Sequence, residues 1–223
     1  MGSITRGLSN NITTGGVILP AGITNSSVSA VTSFANASGG TLTLLSTQTA
    51  SASATISFTT GLDSTYDEYI FKFINIHPST ASKFTFNGST DSGSNYNVTK
   101  TTTVFNGFQY ENASVATLGY DDDSSDIAQG TGFQSLTQYA PNADNDSATS
   151  GTLTIFNPSS TTYVKHFISN ANSMGTGGGN PFTSNSYVAG YFNTTSAVNA
   201  IQFKMASGNI DDGIIKLYGV KKS

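Results

Sequence analysis

From about residue 40 onward, apolar residues alternate with polar ones, and this period of two limits the fold more than any other feature of the sequence. Leu42 and Leu44 alternate with threonines, and Ile56 and Phe58 alternate with hydroxyl-bearing residues. Because successive side chains of a β-strand point to opposite faces, such alternation indicates half-buried strands. No stretch has a convincing helical period. The alternation therefore predicts an all-β chain.

Similar segments recur as far as the C-terminus, separated by turns built from Gly, Asn, Asp and Ser, which tolerate positive φ angles. About ten strands of ordinary length result, at a spacing typical of sandwiches or barrels. The pattern weakens at 106–148, where short pieces at 116–120 and 133–139 are separated by acidic loops. We expect Gly175 to Gly179 to form a flexible loop. We predict a two-sheet antiparallel, jelly-roll-like β-sandwich over residues 38–223.

One predicted strand, from Glu68 to His77, is apolar on both of its faces. The residues of one face are Tyr69, Phe71 and Phe73, and those of the other are Ile70, Ile74 and Ile76. A strand of this kind is either central in a sandwich or covered by a partner. If a partner covers it, the aromatic face with Tyr69, Phe71 and Phe73 is a candidate assembly interface.

Residues 1–37 lack the alternation and cannot form a helix or a core of their own. They carry short apolar islands among Asn, Thr, Ser and Gly; these islands contain Val17, Ile18, Leu19, Val28 and Val31. The segment is either a disordered leader or an extended arm that gains order against a neighbouring subunit. These apolar islands favour the extended arm, because a disordered leader has little need of apolar residues. We therefore predict that these five residues contribute to an assembly interface.

Charge and composition exclude several classes of function. Charged residues make up 10% of the 223 residues, against about 25% in ordinary globular domains. The net charge is −4 and the basic residues are scattered, so the chain lacks the basic patch that nucleic-acid binding requires. No window approaches the ~18 apolar residues of a membrane span. The chain has no Cys, and its first residues do not resemble a secretory signal.

Candidate catalytic and metal-binding residues are few. His77 and His166 lie at the end of, or inside, strand patterns; for His166 we expect a half-buried, hydrogen-bonded sheet residue rather than a general base. The two Glu residues, Glu68 and Glu111, are isolated, so the paired carboxylates of a glycosidase are not evident. Acidic clusters at 121–126 and 144–146 lack EF-hand spacing, and solvated loops are favoured over a calcium site. We predict no enzyme activity, cofactor or metal.

Several turn-and-strand segments resemble those of virion structural proteins of marine tailed bacteriophages, including cyanophages. They are FNGSTDSGSNY at 86–96, FNPSSTT at 156–162 with VKHF at 164–167, VAGYF at 188–192 and GIIKLYG at 213–219. The resemblance covers roughly residues 40–220. It implies a particle component, such as a head decoration protein or a tail, neck or fibre subunit, and it supplies no catalytic residues.

The leading hypothesis is a non-enzymatic virion protein, assembled in the host cytoplasm, that docks on the particle through its arm and one sandwich face. Its expected partners are the major capsid protein or tail and neck components, and further copies of itself, with a trimer favoured. The alternative is a carbohydrate-binding module of a tail fibre that recognises host surface glycans, with Tyr110, Tyr120 and Tyr139 as contacts. A catalytic depolymerase is a more distant third hypothesis, because paired acidic residues are scarce.

Overall fold

The computed structural model describes residues 41–120 and 125–221, and the backbone of two short strands before them. The chain divides into two units, Met1–Gly39 and Gly40–Ser223. In the first unit, β1 (Ile12–Thr13) pairs antiparallel with β2 (Gly16–Val17). Of the predicted arm residues, Val17 lies in β2, and the other four, Ile18, Leu19, Val28 and Val31, lie outside the described residues.

The second unit is built from strands joined by turns, and its described residues contain no helix, so none that could cross a membrane. The strands are β3 (Leu42–Ser53), β4 (Ile56–Phe58), β5 (Glu68–Pro78), β6 (Phe84–Ser89), β7 (Lys100–Tyr110), β8 (Ala116–Tyr120), β9 (Gln134–Ser135), β10 (Thr149–Phe156), β11 (Lys165–Gly177), β12 (Asn180–Phe192), β13 (Ala200–Met205) and β14 (Ile210–Val220). They form an eight-stranded sheet in the order β3-β14-β5-β10-β11-β12-β7-β8 and a four-stranded sheet in the order β4-β13-β6-β9. The predicted all-β, two-sheet antiparallel sandwich is confirmed.

Eight of these strands have the connectivity of a jelly roll, in which a long antiparallel hairpin is rolled into two sheets. In chain order the eight are β3, β4, β5, β6, β9, β10, β13 and β14. The first pairs with the eighth (β3–β14), the second with the seventh (β4–β13), the third with the sixth (β5–β10) and the fourth with the fifth (β6–β9). The predicted jelly-roll topology follows directly from these four pairings.

The remaining four strands are insertions that widen one sheet. The hairpin β7–β8 is inserted between β6 and β9, and the hairpin β11–β12 between β10 and β13. β11 pairs with β10, and β12 pairs with β7, so both hairpins extend the larger sheet beyond β10. We call β7, β8, β11 and β12 the added strands.

The core between the two sheets is dominated by phenylalanine. Phe203, on β13 in the smaller sheet, is fully buried. Its ring lies 5.3 Å from that of Phe71 on β5 and 5.6 Å from that of Phe84 on β6. It also lies 6.1 Å from Phe58 and 6.4 Å from Phe86. One side chain thus connects both sheets through four ring contacts.

The two-faced strand predicted at 68–77 is β5, and it is central in the sandwich. Tyr69, Phe71 and Phe73 are at most 1% exposed and point toward the smaller sheet. The prediction that they form an assembly interface is wrong, because these side chains are in the core and cannot reach a partner. The opposite face of β5 carries Ile70 and Ile74, and Ile74 is 41% exposed.

Two turn predictions are also corrected by the structure. Gly175 to Gly177 belong to β11, and only Gly178 and Gly179, with φ of 58° and 83°, form the turn to β12. A two-residue hairpin turn with both φ angles positive is of the kind that glycine favours, and it matches the twist of the strands it joins. The expected flexible loop is therefore a tight hairpin. Asn87 to Ser89 consist of Asn, Gly and Ser, the residue types from which turns are predicted, yet they are buried strand residues of β6.

We expect Phe203→Ala to lower the free energy of unfolding by about 3–5 kcal/mol, because the substitution leaves a cavity between the sheets. Urea denaturation followed by circular dichroism measures this loss. Phe105→Ala is the matched control: Phe105 is 46% exposed, and its removal should cost about 1 kcal/mol. Equal losses for the two variants would contradict the assignment of Phe203 to the core.

Candidate functional site

The outer face of the eight-stranded sheet is the face turned away from the smaller sheet. Phe167 of β11 points inward, with its ring 5.1 Å from Phe86 of the smaller sheet, so its neighbours His166 and Ile168 point outward. Nine exposed large apolar side chains lie at outward positions of this sheet: Leu42, Leu44, Ile74, Phe105, Leu118, Tyr120, Phe156, Ile168 and Tyr187. Exposed apolar patches of this kind mark interaction surfaces when they are contiguous.

Two of these side chains form an aromatic ridge, Phe105 of β7 and Tyr187 of β12. The two residues are directly opposite each other in the antiparallel pair β7–β12. Their rings stack with centroids 4.7 Å apart and an angle of 10° between the planes. Phe105 is 46% exposed and Tyr187 is 40% exposed. The stacked pair is therefore held in place by the sheet and remains accessible from solvent.

A shallow trough lies on each side of the aromatic ridge. One, of about 500 Å³, lies over Gly107, where an added Cβ would meet no atom within 4 Å, and Leu118 and Asn185 line it. The other, of about 430 Å³, lies over Ala189 and Gly190 and is bordered by Ile168. Gly107 and Ala189 each lie two positions after a ridge residue on antiparallel strands, so they create space on opposite sides of the ridge. The surface therefore has relief that a partner can match.

Charge is unevenly distributed over the outer face. The outward positions of the added strands, as far as they are described, carry no Asp, Glu, Lys or Arg. The other half of the sheet carries Lys72 and Lys216, which are directly opposite each other in the pair β5–β14, and Glu68 at the end of β5. Like charges at such positions repel each other. The face therefore has an uncharged half and a basic pair.

The tyrosines predicted to contact glycans separate into two environments. Tyr110 lies edge-on against Phe108, with ring centroids 4.9 Å apart. Tyr139 packs against the same Phe108 at 4.6 Å, yet it stays 40% exposed. Tyr120 is 58% exposed and donates a hydrogen bond of 2.8 Å from its hydroxyl to Asp126. Tyr120 and Tyr139 line one cleft beside β8, and Tyr110 does not.

The histidines and acidic residues form no catalytic arrangement within the described range. His77 Nδ1 lies 2.6 Å from the carbonyl oxygen of Ser147. His166 is exposed on the outer face, beside Tyr191 at a ring distance of 6.1 Å, and it forms no hydrogen bond with the described residues. The expectation of a half-buried, hydrogen-bonded His166 is wrong, because its position in β11 is outward.

The acidic clusters are only partly described. Asp121 to Asp123 lie outside the described residues. Asp144 accepts a hydrogen bond of 2.7 Å from the side chain of Asn142. Its carboxylate therefore stabilises the loop. Asp146 lines a cleft with Asp211 and Asp212. Nevertheless, no group of three or more His, Asp or Glu side chains in the described part of the chain is placed to hold a metal ion.

The inner face of the added strands is covered by residues 125–148, which we call the covering segment. Lys100 of β7 holds this segment: its backbone exchanges hydrogen bonds of 2.9 and 3.1 Å with Gly130, and its Nζ donates to the carbonyl of Gly132 at 2.6 Å. Lys100 is fully buried, and desolvation lowers its pKa from 10.5 to about 8. Thr102 and Gln134 form a further buried hydrogen bond of 2.7 Å.

Sequence reasoning missed the aromatic ridge and the covering segment. The ridge did leave a signal, because Phe105 and Tyr187 are aromatic residues that immediately adjoin inward-pointing valines, Val104 and Val188. An aromatic residue out of phase with the buried face points to solvent. Nothing in the local pattern around Lys100 predicts its burial.

We expect the free energy of unfolding to rise by about 2 kcal/mol between about pH 8 and pH 10. The pKa of Lys100 is lower in the folded protein than in the unfolded chain, so Lys100 loses its proton at a lower pH when it is folded, and the cost of burying its charge disappears. Urea denaturation at several pH values measures the change. Lys100→Met removes the titrating group and should give a flatter profile over the same range. The same rise in both proteins would contradict the burial of a titrating Lys100.

Comparison with known proteins yields no relative. No protein-family model matches the sequence, and neither the curated proteins nor the solved structures include a significant match to it. The functional assignment therefore rests on the fold and on the surfaces of the described residues.

Proposed function

We propose that this protein is a non-enzymatic structural subunit of a tailed-phage virion, as a capsid decoration protein or a tail, neck or fibre component. In this role it docks on the particle through residues 1–37 and the outer face of its eight-stranded sheet. The observation that carries the proposal is the uncharged outer face of the added strands, with Phe105, Ile168 and Tyr187 exposed on it. Burial of these side chains against another protein would remove apolar surface from water and stabilise the assembly.

The edge strand β3 supports an assembled state. It has 12 residues, is the first strand of the eight-stranded sheet, and contains no charged residue and no proline. Proteins that work alone usually protect a long edge strand with charges, proline or a covering loop, because its free backbone groups can pair with another chain. An edge of this kind is compatible with pairing to a neighbouring subunit. The fold is also consistent, since jelly rolls form capsid domains, although they serve other functions too.

The two halves of the outer face indicate the chemistry of the partner. The uncharged half requires a partner surface that is equally free of charge, because a charged group buried there without a counter-ion is costly. The opposed pair Lys72 and Lys216 favours an acidic side chain at the matching position. We propose that the partners are the major capsid protein or a tail or neck component, and that the subunit is a homo-oligomer, with a trimer favoured.

The alternative function is that of a receptor- or carbohydrate-binding module of a tail fibre. It would use the cleft beside β8, where Tyr120 and Tyr139 are exposed. This cleft adjoins the β8 edge of the outer face, because Tyr120 lies directly opposite Phe105. The two functions are compatible in one protein if docking leaves the β8 edge of the outer face open.

Ile168→Glu tests the docking face. Ile168 is 55% exposed, so the substitution should change the free energy of unfolding by about 0.5 kcal/mol or less, yet place a charge in the interface. We expect the variant to fold and to be absent from gradient-purified particles, with incorporation measured as its ratio to the major capsid protein. Tyr163→Glu, at a loop residue that is 71% exposed, is the control and should be incorporated normally. Normal incorporation of Ile168→Glu would remove this face from the proposal.

Deletion of residues 1–37 tests the arm. The buried hydrophobic residues of the described core all lie between Ala50 and Leu217, so the shortened chain should keep its melting temperature. We expect it to be lost from particles, because the apolar islands of the arm are then missing. Full incorporation of the shortened chain would refute the role of the arm.

A further inference from the structure

We propose that the cleft beside β8 binds one neutral sugar residue, such as the terminal residue of a glycan. The cleft lies between the edge strand β8 and the covering segment, and its volume is about 170 Å³. This is smaller than the ~300–1,000 Å³ of sites for drug-sized ligands, and it suits a single ring. The proposal rests on the alternative function above and narrows its ligand to one neutral sugar. The cleft adjoins the outer face, since Leu118 lines both this cleft and the trough over Gly107.

The floor of the cleft holds a buried amide that is oriented by its neighbours. Asn106 is 4% exposed, and its Oδ1 accepts hydrogen bonds from the hydroxyls of Ser184 at 2.7 Å and Ser186 at 3.1 Å. Ser186 Oγ in turn accepts the backbone N–H of Gln138 at 2.9 Å, so its single hydrogen is available to Asn106. In this arrangement the amide oxygen of Asn106 faces the two serine hydroxyls. Its Nδ2 is a donor with no partner among the described residues.

A second polar group in the cleft lacks a partner. Gln138 Oε1 is buried and accepts no hydrogen bond from any described residue. A buried acceptor without a donor costs about 1–3 kcal/mol, so native proteins rarely retain one without a ligand or a bound water. Two residues that line the cleft thus carry a polar atom without a partner, a donor on Asn106 and an acceptor on Gln138. Hydroxyl groups satisfy both, because each can donate and accept.

The rim of the cleft supplies aromatic surface for the apolar face of a sugar ring. Tyr139 is fixed by contacts of 4.6 Å with Phe108 and 5.9 Å with Phe182, and Tyr120 is fixed by its hydrogen bond to Asp126. Side chains already held in place lose little conformational entropy when a ligand binds. No charged side chain lines the cleft among the described residues, so a neutral sugar fits better than a sialic acid or a sulfated sugar.

A single-ring site of this kind binds weakly, with dissociation constants of the order of millimolar. Repetition of the subunit around a particle would convert many weak contacts into firm attachment. A decoration or fibre subunit would in this way hold the particle close to a glycan-covered cell surface.

Saturation-transfer NMR on the full chain tests the site, with glucose, galactose, mannose and N-acetylglucosamine as probes. We expect a signal with at least one of the four. Gln138→Leu removes the unpartnered acceptor, so it should preserve or raise the melting temperature while weakening sugar binding at least about tenfold. Tyr120→Ala removes one wall of the cleft, and we expect it to weaken sugar binding by a similar factor. This variant tests the site if Gln138→Leu does not fold.

Two control variants separate this site from other surfaces. Tyr163→Ala removes an exposed tyrosine far along the chain from the cleft residues, and Ile168→Glu alters the docking face; both should bind the sugar as the parent does. The proposal is overturned if none of the four sugars gives a signal, if both folded cleft variants bind unchanged, or if Tyr163→Ala weakens binding equally. If Ile168→Glu is lost from particles but still binds sugar, the docking face and the sugar site are shown to act separately.

Discussion

The eight-stranded sheet is twice as wide as the four-stranded sheet, so the smaller sheet can cover only about half of its inner face. The other half belongs to the added strands and must be buried by something else, since unburied apolar side chains there would weaken the fold. The covering segment performs this role. Where the two sheets meet, phenylalanines such as Phe203 fill the space. Beneath the covering segment, buried polar side chains replace them.

This difference in width explains the buried polar network. An irregular segment exposes backbone carbonyls and N–H groups, and these need hydrogen-bond partners when they are buried. Lys100 donates to the carbonyl of Gly132, and Gln134 Nε2 donates to the carbonyl of Ser125 at 2.6 Å. The pKa of Lys100 is lowered by the same burial. The network is thus the consequence of covering a wide sheet with a loop.

Both candidate surfaces also lie on the added strands. The aromatic ridge and its troughs lie on their outer face, and the cleft with Asn106 and Gln138 lies where the covering segment passes β8. The eight jelly-roll strands supply a rigid frame with the core, and the inserted hairpins supply the surfaces that can contact other molecules. Binding residues commonly lie on segments that are inserted into a rigid scaffold.

The period of two was enough to predict the strands and the sandwich, because alternating side chains report burial directly. The jelly roll was the favoured topology, but the order of the strands is visible only in their pairings. The period of two could not place the interface. Tyr69, Phe71 and Phe73 have the same pattern whether a smaller sheet or a partner covers them, and only the tertiary structure decides. The covering segment was equally hidden, since its burial depends on Lys100 and Gln134, residue types that usually lie at the surface. The Gly-rich stretch 175–179 was misjudged because composition does not reveal that β11 and β12 remain paired almost to the turn.

A cryo-EM map of the intact particle tests the central claim most directly. The account predicts repeated copies of this jelly roll with the outer face of the added strands, including Phe105 and Ile168, in contact with a neighbouring protein. A map in which the domain is ordered and that face points into solvent in every copy would contradict it.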